Sequence, residues 1–176
     1  MYLGLVSPGF DEYIQSASWL YDVPEAWIRA VIDTESSGNP RAYRYEPAIK
    51  DASYGLMQLL YSTAKGLGYD GPAEGLYDPK TNINLGTRLL RQLRDRYGDD
   101  FARVYSAYNS GQPDRYLSST QVWNNVQRAL NALAQYAGEV KETVIAAGGQ
   151  VETTLQSNPV PAIVLGLALV AWRKRR

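Results

Sequence analysis

The segment Val23–Pro40, VPEAWIRAVIDTESSGNP, decides how this chain is read. Trp27, Ile28, Val31 and Ile32 recur at the spacing of one helix face, and Gly38 with Pro40 supplies a stop. Asp22 and Glu25, three residues apart, make a capping-box pattern around Pro24, which predicts a helix start there. One more turn along the stripe Trp27, Val31 falls on Glu35 where an apolar residue is due. Helical geometry therefore turns this carboxyl toward the protein. Burial disfavours the charged form and raises the pKa, and the negative end of the helix dipole acts in the same direction. A carboxyl kept protonated near neutral pH suits a general acid. By itself, however, the helix favours a buried ion pair with Arg29, Arg41 or Arg44.

Downstream, residues 39–55 are turn-rich and aromatic, including YRYEP and KDASYG, and predict a loop or short ribbon laid along a groove. GLMQLLYSTAKGLG predicts a short buried helix ending at Gly66 or Gly68. A second loop leads to Pro79, where Leu85, Leu89, Leu90, Leu93 and Tyr97 form one helical stripe closed by Gly98. FARVYSAYNSG predicts another helix, and the segment from Gln121 a long one with Val122, Val126, Leu130 and Leu133 inward. The expected fold is all-α, or mainly helical with a small β-ribbon.

Composition narrows the chemistry. The 176 residues contain no cysteine and no histidine, which removes disulfides, Cys/His zinc sites, thiol nucleophiles and histidine triads. Catalysis must use carboxylates, hydroxyls, amides or lysine, with no metal or cofactor expected. Eighteen basic and eighteen acidic residues cancel, so bulk charge gives no reason to expect nucleic acid. Fourteen tyrosines and four tryptophans are many for this length, and such rings suit both sugar grooves and ordinary cores.

Three motifs occur in order: ESSGNPRA at Glu35–Ala42, SYGLMQL at Ser53–Leu59 and AYNSG at Ala107–Gly111. Together, over residues 10–135, they resemble the soluble lytic transglycosylases, whose catalytic domain is lysozyme-like. The resemblance implies cleavage of peptidoglycan between N-acetylmuramic acid and N-acetylglucosamine, with Glu35 as acid and then base and a 1,6-anhydro product. It also implies that Gln58 holds a sugar acetamido group or orients Glu35, and that Tyr108 and Asn109 line the groove. Gly55 would permit close backbone approach, and Tyr54 and Tyr45 would join the substrate surface. Met57 and Leu59 read as core.

Two departures qualify the match. Glu35 and Gly55 lie twenty residues apart, which resembles goose-type lysozymes; these hydrolyse the same bond with water. Asp51 or Glu46 could then assist, if one stands about 6.5 to 9.5 Å across the cleft. The tyrosine that often supports the acid in this family would fall on Asn125 or Trp123. An inactive glycan-binding virion or structural protein is the reading from another class.

The catalytic domain is expected over residues 1–136, a helical stalk over 137–158 and an apolar tail over 159–176. MYLGLVSPGFDEY does not read as a secretory signal. Val160–Trp172 carries no charge and precedes four basic residues. Thirteen helical residues span about 20 Å against a hydrocarbon core of about 30 Å, so this is a marginal membrane anchor, with Trp172 at the interface. Such an architecture suits a membrane-linked enzyme or a phage virion component with its catalytic domain facing the wall.

Overall fold

The computed structural model describes residues 8–146. The chain divides into two units, Met1–Gly138 and Glu139–Arg176, and the hydrophobic core lies in the first. The expected anchor lies outside the described residues. Among the described residues no helix is long and apolar enough to cross a membrane.

The elements are α1 (Asp11–Tyr21), α2 (Glu25–Ser36), β1 (Tyr43–Glu46), β2 (Asp51–Tyr54), β3 (Leu59–Leu60), α3 (Tyr61–Gly66), α4 (Pro79–Tyr97), α5 (Phe101–Ser110) and α6 (Thr120–Ala146). The fold is mainly helical, with one antiparallel sheet in the order β1-β2-β3. The main core gathers Ile14 of α1, the buried face of α2, Ile83 and Leu90 of α4, Phe101 and Tyr105 of α5, and Val126 and Leu133 of α6. A smaller cluster of Leu59, Ala64, Leu67, Leu76 and Leu85 lies beneath the sheet and α3, and Tyr108 packs against both.

Helix ends follow local chemistry. Asp78 precedes Pro79 and accepts a hydrogen bond from the Thr81 amide, while Asp100 caps α5 through the Ala102 amide. Gly98 and Gly111 end these helices, as the sequence predicts.

Two expectations are corrected, and one helix was not foreseen. The capping box at Asp22 does not form: Asp22 is the left-handed end of α1, α2 starts after Pro24, and no side chain caps it. Asp22 instead pairs with Arg91 of α4. Helix α1 was hidden because only Ile14 and Ala17 of its turns are buried, while Trp19 and Leu20 face outward. GLMQ is not helical either. Gly55 and Gln58 both adopt positive φ, +73° and +47°, β3 follows, and α3 begins only at Tyr61.

Candidate active site

Helix α2 buries Trp27, Ile28, Ala30, Val31 and Ile32, which fixes its rotation and carries Glu35 to its last turn. Ser37 then takes a left-handed conformation and returns its amide to the Asp33 carbonyl, so the helix stops one residue after Glu35. The Ser36 hydroxyl donates to the Leu56 carbonyl at 2.7 Å, tying the helix end to the GLMQ turn.

That turn is held on several sides. Tyr108 of α5 donates its hydroxyl proton to the Met57 carbonyl at 2.7 Å. Asn82 of α4 accepts from the Met57 amide and donates to the Tyr54 and Leu76 carbonyls, each at 2.8 Å. The left-handed Gln58 costs about 1–2 kcal/mol in isolation, so these contacts over-determine its geometry. Its amide sits in the cleft wall with Nε2 donating to the Gly55 carbonyl.

Glu35 is surrounded by protein yet half-buried, because its carboxyl opens into a cleft of about 650 Å³. Gln58, Tyr108, Asn109, Arg44, Glu46 and Asn125 share the lining. Oε1 of Glu35 accepts a hydrogen bond from the Tyr105 hydroxyl at 2.8 Å. Tyr105 is itself buried in an aromatic column, with Trp27, Phe101, Tyr105 and Tyr108 in successive contact at ring separations of 5.1, 6.0 and 6.4 Å.

Burial pushes the Glu35 carboxyl above the ordinary carboxylate range. Hydrogen bonding from Tyr105 and Asn109 and the positive fields of Arg44 and Arg128 reduce that rise without cancelling it. The ion pair considered from sequence does not form. Among the described residues no cation lies within pairing distance of Glu35, since Arg29 binds Asp11 and Glu25, and Arg44 binds Glu46. Burial also raises the Tyr105 and Tyr108 hydroxyls, and the nearby Glu35 charge adds to both. Both phenols therefore remain donors.

The sheet sorts the other candidates. Strand alternation puts Arg44, Ser53 and Leu60, partners across the three strands, toward the cleft. Tyr45 and Tyr54 belong to the alternate face and do not line it. Tyr54 packs edge-on against Tyr43 and Tyr77, and Tyr45 is exposed. Gly55 is buried behind the cleft. A Cβ there would stand 2.5 Å from both Asn82 Nδ2 and the Leu76 carbonyl, so packing, not an approaching ligand, requires glycine. Asp51 does not line the cleft. Its carboxylate accepts from the Ala52 and Ser62 amides at 2.7 and 3.1 Å. Partial desolvation would raise its pKa, but hydrogen bonds from Ser62 and Ala52 outweigh it and hold the group low. Glu46 does line the cleft, paired to Arg44.

Sequence reasoning looked to Asn125 or Trp123 for the tyrosine beside the acid. The tyrosine that contacts Glu35 is Tyr105, while Trp123 stacks on Tyr116. Spacing puts Tyr105 on the same α5 face as Tyr108 and Asn109, at i, i+3 and i+4, but does not mark its hydroxyl as the partner of the acid. Among the described residues no cluster of three or more His, Cys, Asp or Glu side chains could hold a metal ion.

A helical domain with a small sheet, presenting a desolvated glutamic acid from a helix end to a polar cleft, has the lysozyme-like fold. Residues 12–121, well over half of the chain, match the transglycosylase SLT domain, and the chain belongs to that family. It is 35% identical over 130 residues to the transglycosylase of Enterobacteria phage PRD1, covering 73% of this chain and 46% of that protein. It is 37% identical over 112 residues to the membrane-bound lytic murein transglycosylase C of Histophilus somni, covering 56% and 30%. The chain thus spans less than half the length of these curated relatives. The fold is shared with the 70 kDa soluble lytic transglycosylase of Escherichia coli, at a TM-score of 0.64, 22% identity and coverage of 74% and 24%. The lytic transglycosylase Slt of Pseudomonas aeruginosa gives 0.63 and 22%, covering 77% and 25%.

Proposed function

We propose that this chain is a peptidoglycan lytic transglycosylase that cleaves the bond between N-acetylmuramic acid and N-acetylglucosamine, with Glu35 as the single catalytic carboxyl. The observation that carries the reading is the protonation-favouring environment of Glu35 at the cleft, combined with the engagement of the neighbouring carboxylates. Glu46 is paired to Arg44, and Asp51 is bound to backbone amides. Family membership and the names of the relatives support the substrate class.

In this mechanism Glu35 donates its proton to the glycosidic oxygen as the bond to the muramic C1 breaks. The substrate's N-acetyl carbonyl stabilises the positive centre, as in glycosidases that need no second carboxylate. The Glu35 carboxylate then takes the proton of the muramic C6 hydroxyl while O6 bonds to C1, closing the 1,6-anhydro ring and restoring the acid. Gln58 and Asn109 offer amides to the sugar from the cleft lining, and Tyr105 holds the carboxyl in place.

Hydrolysis assisted by Glu46 is the second reading, because Glu46 lines the same cleft. The mass of the products separates the two: an anhydro end lacks the water that a hydrolytic end contains. Glu35→Gln is expected to abolish clearing of purified walls while the fold persists. Unchanged clearing would remove Glu35 from the mechanism, whereas a parent chain that clears no wall would favour the non-enzymatic glycan-binding reading. Relatives named for a phage and for membrane binding support a location at a membrane or in a virion, with the domain facing the wall. Equal binding to lipid vesicles by the full chain and by a form ending at Gln156 would argue against an anchor in the tail.

A further inference from the structure

A line of polar side chains leads from the outer surface of α6 to the acid. The Arg128 guanidinium donates to Asn125 Oδ1 at 2.7 Å, and Asn125 Nδ2 donates to Asn109 Oδ1 at 3.2 Å. Asn109 lines the cleft together with Glu35, where hydrogen bonding from its amide favours the charged carboxylate. Arginine only donates, whereas an asparagine amide can present either edge. Once Arg128 takes the oxygen of Asn125, the Asn125 NH2 must face Asn109. Asn109 must then turn its oxygen to Asn125, leaving its own NH2 for the carboxyl and the cleft. Arg128 has no carboxylate within pairing distance among the described residues, so its donors are not tied to an acid.

We propose that Arg128 is a positioning residue that sets the direction of the Asn125–Asn109 amide pair, so that Asn109 meets Glu35 and the substrate as a donor. Without it both amides can reverse, and a reversed Asn109 would point a carbonyl oxygen at the carboxylate. The activity part of this inference rests on Glu35 being the acid. The structural part does not.

Other charged or titratable groups surround the same carboxyl: Tyr105 and Tyr108 of α5 and Arg44 of β1 act on it, Glu46 of β1 and Arg96 and Tyr97 of α4 line its cleft, and Asp33 lies on α2 itself. The test must therefore separate the relay from simple charge. The protonation of Glu35 is followed by carboxyl carbon NMR on the full chain, with the resonance assigned by its loss in Glu35→Gln. Three proteins are compared: the parent, Arg128→Lys, which keeps charge and donor character, and Arg128→Met, which keeps neither. Measurements are made at low salt and at about 1 M salt, where the screening length falls to about 3 Å.

Arg128→Met should move the Glu35 midpoint upward by about one pH unit, the size expected when a hydrogen bond to a charged group is lost. The displacement should persist in high salt, and Arg128→Lys should restore most of it. On wall substrate the alkaline edge of kcat should follow, and KM should rise as Asn109 loses its donor toward the sugar, with Arg128→Lys restoring both. A Met variant that titrates like the parent would overturn the proposal. So would a displacement that vanishes in high salt, which would reduce Arg128 to a remote charge, or a Lys variant as displaced as Met. If the NMR behaves as expected but the parent releases no glycan, the enzymatic reading fails and the relay stands.

Discussion

At the scale of single residues, the site turns on how Glu35 balances burial against its donors. Its position was legible in the sequence, because helix periodicity alone puts it on the buried side of α2. Tyr105 was not legible. It occupies a core position on α5, and nothing in a helix pattern tells a packed tyrosine from one whose hydroxyl emerges beside an acid seventy residues earlier. Removing that hydroxyl with Tyr105→Phe withdraws a donor from the ionised form, so the alkaline edge of activity should move up. The carboxyl should also lose its fixed orientation, lowering kcat by about tenfold. A pH-rate profile matching the parent would show the contact to be idle. The raised Glu35 pKa also bears on stability. Below the unfolded value of about 4.3 both states are protonated. As pH rises from there toward the folded value, the unfolded chain ionises first and the native state loses stability relative to it, a loss complete once the native carboxyl has also ionised as a poorly solvated charge. Glu35→Gln should therefore melt above the parent at neutral pH, and the gap should close below about pH 4. A gap of constant size would point to packing as its cause.

At the scale of elements, the long helices were readable because their signals agree: Asp78 and Pro79 at the start of α4, Gly98 at its end, and an apolar stripe between. The GLMQ turn was misread because Leu56, Met57 and Leu59 are all buried, and a short apolar run carries no period by which to tell helix from turn. What decides its shape lies elsewhere in the chain, in the side chain of Asn82. That amide is fully buried and serves three backbone groups, so Asn82→Ala would orphan an amide and two carbonyls at once. We expect a loss of about 3 kcal/mol or more in denaturant unfolding. Any residual activity should be reduced beyond what the unfolded fraction explains, because Gln58 and the anchor of Tyr108 both belong to that turn. A loss under about 1 kcal/mol would mean that the turn holds itself. Tyr45 and Tyr54 teach a related lesson: aromatic content suggested a groove, but the two-residue repeat of a strand assigned these rings to the opposite face.

At the scale of the whole molecule, fold class and family were readable from three short motifs, while the assembly of the site depends on contacts between distant parts of the chain. The sheet closes locally, Tyr43 meeting Tyr54 and Ser53 meeting Leu60, whereas Glu35 meets its donor only when α2 and α5 come together. Closing so long a loop is entropically unfavourable and tends to come after local structure in time. The Tyr105–Glu35 hydrogen bond therefore serves as a clock for the end of folding. After dilution from denaturant, the helical signal should return first and wall-clearing activity second. Simultaneous recovery would mean that α2 and α5 dock as early as they coil. In a chain without a disulfide, the last bond to form would then be the one on which the acid depends.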